Sequence, residues 1–289
     1  MGIKLLNSLI KNYCRKSCKL TTLFELKNRT IVVDISIYMY RFKAEDKLIE
    51  NIYLLCSIFY FYNIKVLFIF DGVPPQEKKN ELKKRKIQKH KAREEFYKIK
   101  DNKLILKEDR IKMKKLRKIF TTINKNDIIN VKKLISLWGM THIIAEKEAD
   151  ELCAKLVICG KAYACLSEDT DLFVYGCPRV LRYLSIRNHT VVMYNLNSIL
   201  DNLKLDKYKF RKICVISGTD YNSPSQGNIF QNYDLYKENA IILSDEDKKI
   251  YNIFCLKNDD CFENLLIENG PINKEEIKKI MIKYNFVFI

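Results

Sequence analysis

Acidic residues at the ends of apolar runs are the first chemistry legible in this chain. The run Thr30-Ile31-Val32-Val33 ends in Asp34, and Lys65-Val66-Leu67-Phe68-Ile69-Phe70 ends in Asp71. Ala162 to Leu166 leads into Ser167-Glu168-Asp169-Thr170-Asp171, and Glu148-Ala149-Asp150 opens an apolar helical run. Taken singly, each acid has an ordinary structural use: Asp34 as a helix N-cap, Asp71-Gly72 as a turn, Glu148 and Asp150 at a helix N-terminus, Asp169 and Asp171 in a loop, Asp220 in a turn. Together they are costly, because carboxylates gathered at one edge repel one another, and a cation would offset that repulsion. His90, His142 and His189 stand alone, and no cysteine converges with the acids. An all-oxygen ligand set suits a hard cation such as Mg2+ or Mn2+. Two such ions ~4 Å apart can generate the attacking hydroxide and stabilise the leaving oxygen of a phosphodiester.

The elements that must position these acids follow from the same runs. Short apolar segments separated by helical patterns read as buried strands of a mainly parallel sheet flanked by helices, which makes the fold class α/β. A fourth such run, Val180 to Leu184, has no acid of this kind. In such sheets ligands bind beyond the carboxyl ends of the strands, where Asp34, Asp71, Asp169 and Asp171 fall. A long insertion, about residues 76–130, carries Lys78, Lys79, Lys83, Lys84, Arg85, Lys86, Lys89, Lys91 and Arg93, lacks Pro and Gly, and reads as helix. Asp127 to Trp138 resumes an apolar helical period that Gly139 stops, as expected of a helix docked on the sheet. After Tyr221 the pattern weakens into polar sequence and then Lys-rich amphipathic sequence.

At 289 residues and 47% hydrophobic content, the chain can bury one large domain or one domain with a small appendage. Its formal charge of +17 puts a large excess of Lys and Arg on the surface, which suggests a polyanionic partner. No apolar leader precedes the ten cysteines, so a reducing interior is expected and most thiols read as core filler. Cys14-x3-Cys18 and Cys255-x5-Cys261 lack a second pair nearby, so no structural zinc is expected. The longest apolar run, Ile52 to Tyr62, falls short of the ~20 residues that span a bilayer, and no transmembrane helix or membrane partner is expected.

Five motifs in order carry a family resemblance: Val33 to Tyr38, Phe70-Asp71-Gly72-Val73-Pro74-Pro75, Glu148-Ala149-Asp150, Ser167 to Asp171, and Gly218-Thr219-Asp220-Tyr221. From Met1-Gly2-Ile3 through about Tyr221 the chain resembles the flap endonuclease and XPG-type structure-specific nucleases. The resemblance implies a 5′-nuclease, PIN-like fold with a helical arch, and Asp34, Asp71, Glu148, Asp150, Asp169, Asp171 and Asp220 as ligands of two Mg2+ ions, with Mn2+ able to substitute. It also implies that Lys78 and Arg85, two helical turns apart, act on the scissile phosphate. Tyr40, which by its setting alone reads as core, matches an aromatic that stacks on a base. Gly2 matches a residue whose backbone lies near the active site, and Lys83, Lys84 and Gly227 are further DNA-binding candidates. Glu151 and Glu168 are expected around the site or at the surface.

Two departures qualify the resemblance. Arg41 to Lys65 is shorter than the corresponding segment of cellular flap endonucleases, which implies a reduced wedge between duplex and flap. Ser223 to Phe230 keeps one glycine of a glycine-rich helix-two-turn-helix motif. No clamp-binding tail is evident in Ile282 to Ile289. The expected organisation is a nuclease domain over residues 1–221, its arch at about 76–130, and a divergent helical region over 222–289. The expected activity is cleavage of 5′ flaps or branched DNA in replication, repair or recombination by a monomer. A nuclear site is expected, or a cytoplasmic replication site if the Lys-, Ile- and Asn-rich usage reflects a large DNA virus. The alternatives are a 5′-3′ exonuclease or RNA/hybrid-processing nuclease, and a protein that binds branched DNA without cutting it.

Overall fold

The computed structural model describes residues 2–102, 106–256, 262 and 265–288. Expectations placed on Met1, Cys261, Ile289 and residues 103–105 of the basic insertion lie outside these. Seven strands form one sheet: β1 (Cys18–Thr22), β2 (Thr30–Asp34), β3 (Lys65–Phe70), β4 (Thr141–Ile144), β5 (Ala164–Leu166), β6 (Arg179–Ser185) and β7 (Thr190–Asn195). Their order is β1-β7-β6-β5-β2-β3-β4. The pairings from β4 through β6 are parallel, whereas β7 pairs antiparallel with both β6 and β1. The expected mainly parallel sheet is present. Sequence patterning did not single out β1, β4 or β7. β1 and β4 lie at the sheet edges, and β4 has no fully buried residue, so neither carries a long apolar run.

The helices are α1 (Leu6–Tyr13), α2 (Ile35–Ala44), α3 (Leu48–Phe61), α4 (Lys79–Lys100), α5 (Lys107–Phe120), α6 (Lys125–Leu137), α7 (Ala149–Ile158), α8 (Asp171–Tyr175), α9 (Leu196–Leu203), α10 (Lys207–Ile216), α11 (Ile229–Tyr236), α12 (Asp245–Ile253) and α13 (Lys274–Lys283). Strand alternation sorts them into two layers. Ile31 and Val33 of β2 and Val66, Phe68 and Phe70 of β3 join one core with α2, α3, α6 and α13. Val32, Leu67 and Ile69 point the other way, into a core with α1, α7, α8 and α9 to α12. The chain beyond Tyr221 feeds both cores: Ile241, Leu243, Ile250 and Phe254 belong to one, Ile277 and Met281 to the other. Between them, Gly270 N donates to Gly139 O and Thr141 Oγ1 to Glu268 O, so this segment covers the β4 edge.

This packing fixes the site by fixing where strands become helices. α2 starts at the residue after Asp34 and buries Ile35, Tyr38, Met39 and Phe42, spaced for one helical face. Each such side chain stabilises the fold by about 1.5–3 kcal/mol, so the turn at Asp34 is held firmly. The basic insertion folds into α4 and α5, which pack on each other through a small apolar cluster of Ala92, Ile99 and Leu116. α6 leaves the insertion and buries Val131, Leu134 and Ile135 in the sheet's core, the docked helix its period indicated.

Candidate active site

Four parallel strands, β2, β3, β4 and β5, aim their carboxyl ends at one place. Asp34 is the last residue of β2 and Asp71 follows β3, while Glu148 follows β4 and Asp169 follows β5. The chain moves outward from β2 to β3 and β4, then crosses to β5 on β2's other side, which makes the β2–β5 boundary a topological switch point. Asp34 and Asp169 flank that boundary.

Two hydrogen bonds, accepted by Asp71 and by Asp34, link the separate loops that carry the acids. Glu148 occupies the N-cap position of α7 yet makes no capping bond with its side chain. Asp71 Oδ1 supplies an acceptor instead, taking the Ala149 N–H at 2.9 Å and tying the loop after β3 to α7. Asp34 Oδ2 accepts from Ser167 Oγ at 3.0 Å and ties the end of β2 to the loop after β5, whereas Asp150 Oδ1 accepts from Glu151 N and Asp169 Oδ1 from Asp171 N, both local bonds. Gly72 makes the loop contact feasible: its N–H donates to Lys147 O at 2.6 Å, and a Cβ there would run into the Ala145 carbonyl.

The acids act on one another electrostatically. Burial, then the Asp71 carboxylate and, more weakly, Asp169, push Asp34 up to about 8. Burial followed by repulsion from Asp169 and Glu148 raises Asp150, and burial with Asp169, Asp220 and Asp150 raises Asp171. Asp169 is raised as well, first by burial and also by Asp220. All seven expected carboxylates are therefore linked by mutual interaction, although Asp71 stands at an exposed rim while Asp171 is 0% exposed.

Lys78 and Arg85 lie on these acids. Lys78 Nζ donates to Glu148 Oε1 at 2.7 Å and lies 3.5 Å from Asp220 Oδ2, the oxygen that also accepts from Arg85 Nη2 at 2.6 Å. Lys78 is 5% exposed, so it is not a solvated surface charge. Burial alone would lower its ammonium, but Glu148 and Asp150 outweigh that and hold it protonated. Among the described residues no three acid, histidine or cysteine side chains could hold a metal ion as they stand. The donor set nevertheless fits a hard divalent cation. Asp34 Oδ1 and both oxygens of Asp171 are buried without a hydrogen-bond partner among the described residues, a costly state that a cation relieves. The Lys78 and Arg85 pairs would have to open for Glu148 and Asp220 to serve.

The remaining candidates separate. Gly2, at φ 76°, places its backbone against the acids, so that a Cβ would lie 2.5 Å from Asp171 Oδ1 and 2.5 Å from Thr170 Oγ1. Tyr40 is half-exposed rather than core, with Lys89 Nζ 5.2 Å over its ring. Lys83 and Lys84 are exposed on α4, and the space beside Gly227 faces Gln231 rather than the acids. Glu168 Oε1 accepts from Tyr183 N, and Glu151 pairs with Lys155. Sequence reasoning gave no role to Ser167, Gly72, Lys89 or Tyr221. Two signals were available: Lys89 lies one turn beyond Arg85, and Tyr221 directly follows Asp220. Tyr221 OH donates to Glu148 Oε2 at 2.6 Å.

Comparison with known proteins identifies the family and the fold. Residues 1–92 match the XPG N-terminal domain and residues 139–220 the XPG I-region. Flap endonuclease 1 of Entamoeba histolytica is 30% identical over 316 aligned residues, covering 98% of this chain and 83% of that protein. The catalytic core of Rad2 in complex with DNA substrate superposes with TM-score 0.70 at 18% identity, covering 96% of this chain and 94% of that one. Human GEN1 in complex with Holliday junction DNA superposes with TM-score 0.68 at 16% identity, covering 99% and 74%. With its fold, its cluster of acids and a relative matched along nearly its whole length, the chain belongs to the flap endonuclease and XPG family of structure-specific nucleases.

Proposed function

We propose that this protein hydrolyses DNA phosphodiesters at 5′ flaps and related branch points, with two divalent cations, Mg2+ or Mn2+, held by Asp34, Asp71, Glu148, Asp150, Asp169, Asp171 and Asp220. Nucleases of this family are generally metal-dependent. The observation that carries the reading is Asp171, fully buried beside Asp169 with neither carboxylate oxygen bonded among the described residues. Bound there, the cations would supply activation of water and stabilisation of charge on the reacting phosphate.

The chain's own residues do the rest. Lys78 and Arg85 exchange their carboxylate partners for the non-bridging oxygens of the scissile phosphate, placing fixed positive charge where negative charge grows. Tyr40 offers its ring to a base once Lys89 withdraws, and an opening of about 270 Å³ beside it, lined by Tyr40, Phe70, Asp71, Ile128 and Lys132, is apolar enough to receive one. The exposed bases of α4, including Lys83 and Lys84, bind flap phosphates. In the reaction the phosphorus–O3′ bond breaks, the water oxygen stays on the 5′ phosphate, and a proton goes to the leaving 3′ oxygen.

The test is cleavage of end-labelled flap, nicked, gapped and single-stranded DNA in Mg2+ and in chelator. Metal-dependent cutting at the flap base supports the reading. Tight binding of flaps with no cutting in Mg2+ or Mn2+ would leave a binding protein, and digestion of unbranched ends alone would leave an exonuclease.

A further inference from the structure

The carboxylate of Glu148 is held at both oxygens by different residues. Oε1 accepts from Lys78 Nζ at 2.7 Å, and Oε2 accepts from Tyr221 OH at 2.6 Å. The two donors also touch, since Lys78 Nζ lies 4.9 Å from the centre of the Tyr221 ring. Behind Tyr221, the hydroxyl of Tyr175 lies 3.5 Å from its own. A phenol has one proton, and Tyr221 gives its proton to Glu148, so in this long contact the donor is Tyr175. A directed chain therefore runs from Tyr175, 2% exposed, through Tyr221 to the carboxylate. Phe254 packs edge-on against the Tyr221 ring at 5.6 Å and face-tilted against Tyr175 at 4.9 Å, which fixes both rings.

The two grips on Glu148 are not equivalent. Lys78 sits at the start of the insertion, in the short turn before α4, and its ammonium is needed at the phosphate under the reading above. Tyr221 sits on the sheet domain, between Tyr175 at the end of α8 and Phe254 just after α12. When Lys78 leaves, Oε1 is free, and Tyr221 is the group that keeps the carboxylate from rotating. A neutral donor suits this role, because it orients the carboxylate without cancelling the charge a cation needs.

We propose that Tyr221 is a positioning residue that holds Glu148 in the orientation used for divalent-cation binding, with Tyr175 fixing the direction of its hydroxyl. The inference rests on the metal-dependent reading above. It also explains how Lys78 can serve the substrate without the cation site losing its shape.

The experiment is Mn2+ binding to the DNA-free protein, read from the loss of the free-ion electron paramagnetic resonance signal, for wild type, Tyr221→Phe, Tyr175→Phe and Asp171→Asn. Phe at 221 retains the ring beneath Lys78 and against Phe254, so thermal melting in chelator should be nearly unchanged. The expected result is Mn2+ affinity lower by about tenfold or more for Tyr221→Phe, at the scale of an outer-shell partner, and a smaller loss for Tyr175→Phe. Equal affinity of wild type and Tyr221→Phe, with Asp171→Asn weakened, overturns the role of Tyr221 and leaves the metal site intact. Absence of Mn2+ binding to wild type overturns the metal reading and this inference with it.

Discussion

Arg85 Nη2 lies 2.6 Å from Asp220 Oδ2, a bond across 135 residues of sequence that ties the basic helix of the insertion to the loop after α10. Lys78 reaches Glu148 and Asp220 from the same side, and Lys89 covers Tyr40. At 100° per residue, Arg85 and Lys89 lie about 40° apart around the axis of α4, and Lys78, in the turn just before it, reaches the acids from the same side. One face of the basic segment therefore closes over the acids, and its cations offset their repulsion.

Removing those cations should affect rate and stability in a predictable way. Lys78→Ala and Arg85→Ala are each expected to lower single-turnover cleavage by about 10²–10³. Flap affinity and its salt slope should change little, because many other bases remain on α4 and α5. Lys78→Ala should also destabilise the metal-free protein by about 3 kcal/mol, since it removes the buried ammonium that pairs with both Glu148 and Asp220. Unchanged rates with a large loss of affinity would place both residues in bulk binding instead.

Asp171→Asn should separate catalysis from stability. The side chain is 0% exposed and its oxygens are unpartnered among the described residues, so removing its charge relieves repulsion from Asp169, Asp220 and Asp150. The expected outcome is a metal-free protein that melts no lower than wild type, and cleavage in Mg2+ reduced at least about a hundredfold, the upper range for losing an outer-shell partner. Wild-type cleavage by this variant would falsify the assignment of Asp171 as a ligand.

The acids also make the metal-free protein pH-sensitive. Asp34 is raised from 3.8 to about 8, and Asp150, Asp169 and Asp171 are raised too, so the folded state retains protons that the unfolded state has lost. For a raised carboxylate the stabilising contribution is fully present below the unfolded pKa and is lost as pH rises through the folded one. In chelator, this group should therefore destabilise the protein progressively from about pH 4 to pH 8. Mg2+, which favours the ionised form, should raise the melting temperature more at pH 8 than at pH 5.5. Calorimetric scans at both pH values check this, and an equal Mg2+ effect at both would contradict it.

Gly72→Ala should damage the site without touching an acid. A Cβ there would collide with the Ala145 carbonyl and lie 2.7 Å from the Glu146 carbonyl, so the loop leading to Glu148 must shift. Cleavage is expected to fall more than tenfold, in line with the cost of an ångström-scale misplacement. A crystal structure or melting curve indistinguishable from wild type, with full activity, would show that the loop yields freely.

Substrate choice should depend more on the 5′ end than on a long duplex. At the start of α11, Asn228 Oδ1 takes the Phe230 and Gln231 N–H groups, and Gln231 Oε1 takes the Asn228 N–H. Backbone donors that could meet a phosphate are thus already occupied by the helix's own cap. Blocking the flap's 5′ terminus with a bulky group should reduce cleavage strongly, and shortening the duplex only modestly. The reverse pattern would mean that residues 223–230 still grip the duplex.

Much of this protein was legible before folding. Asp34 and Asp71 end short runs whose β-branched and aromatic residues read as buried strands, and a strand's end is a fixed place in a parallel sheet. The order of the motifs carried the rest of the acids and the family. β1 and β4 were not legible because edge strands keep few buried residues, and the pairing of β1 with β7 is non-local; β7, whose run Val191 to Tyr194 closes a local hairpin with β6, carried a readable pattern that was passed over. Nor could periodicity show that Lys78 is buried, since a lysine in a basic run looks like every other until its carboxylate partners, 70 residues away and more, arrive beside it. The same holds for Tyr221: its place next to Asp220 was visible, but its bond to Glu148 spans 73 residues. Sequence determined which groups carry the chemistry, through local pattern and burial. Only the tertiary structure decided which oxygen each donor holds, because that depends on how loops from four strands and one inserted helix meet.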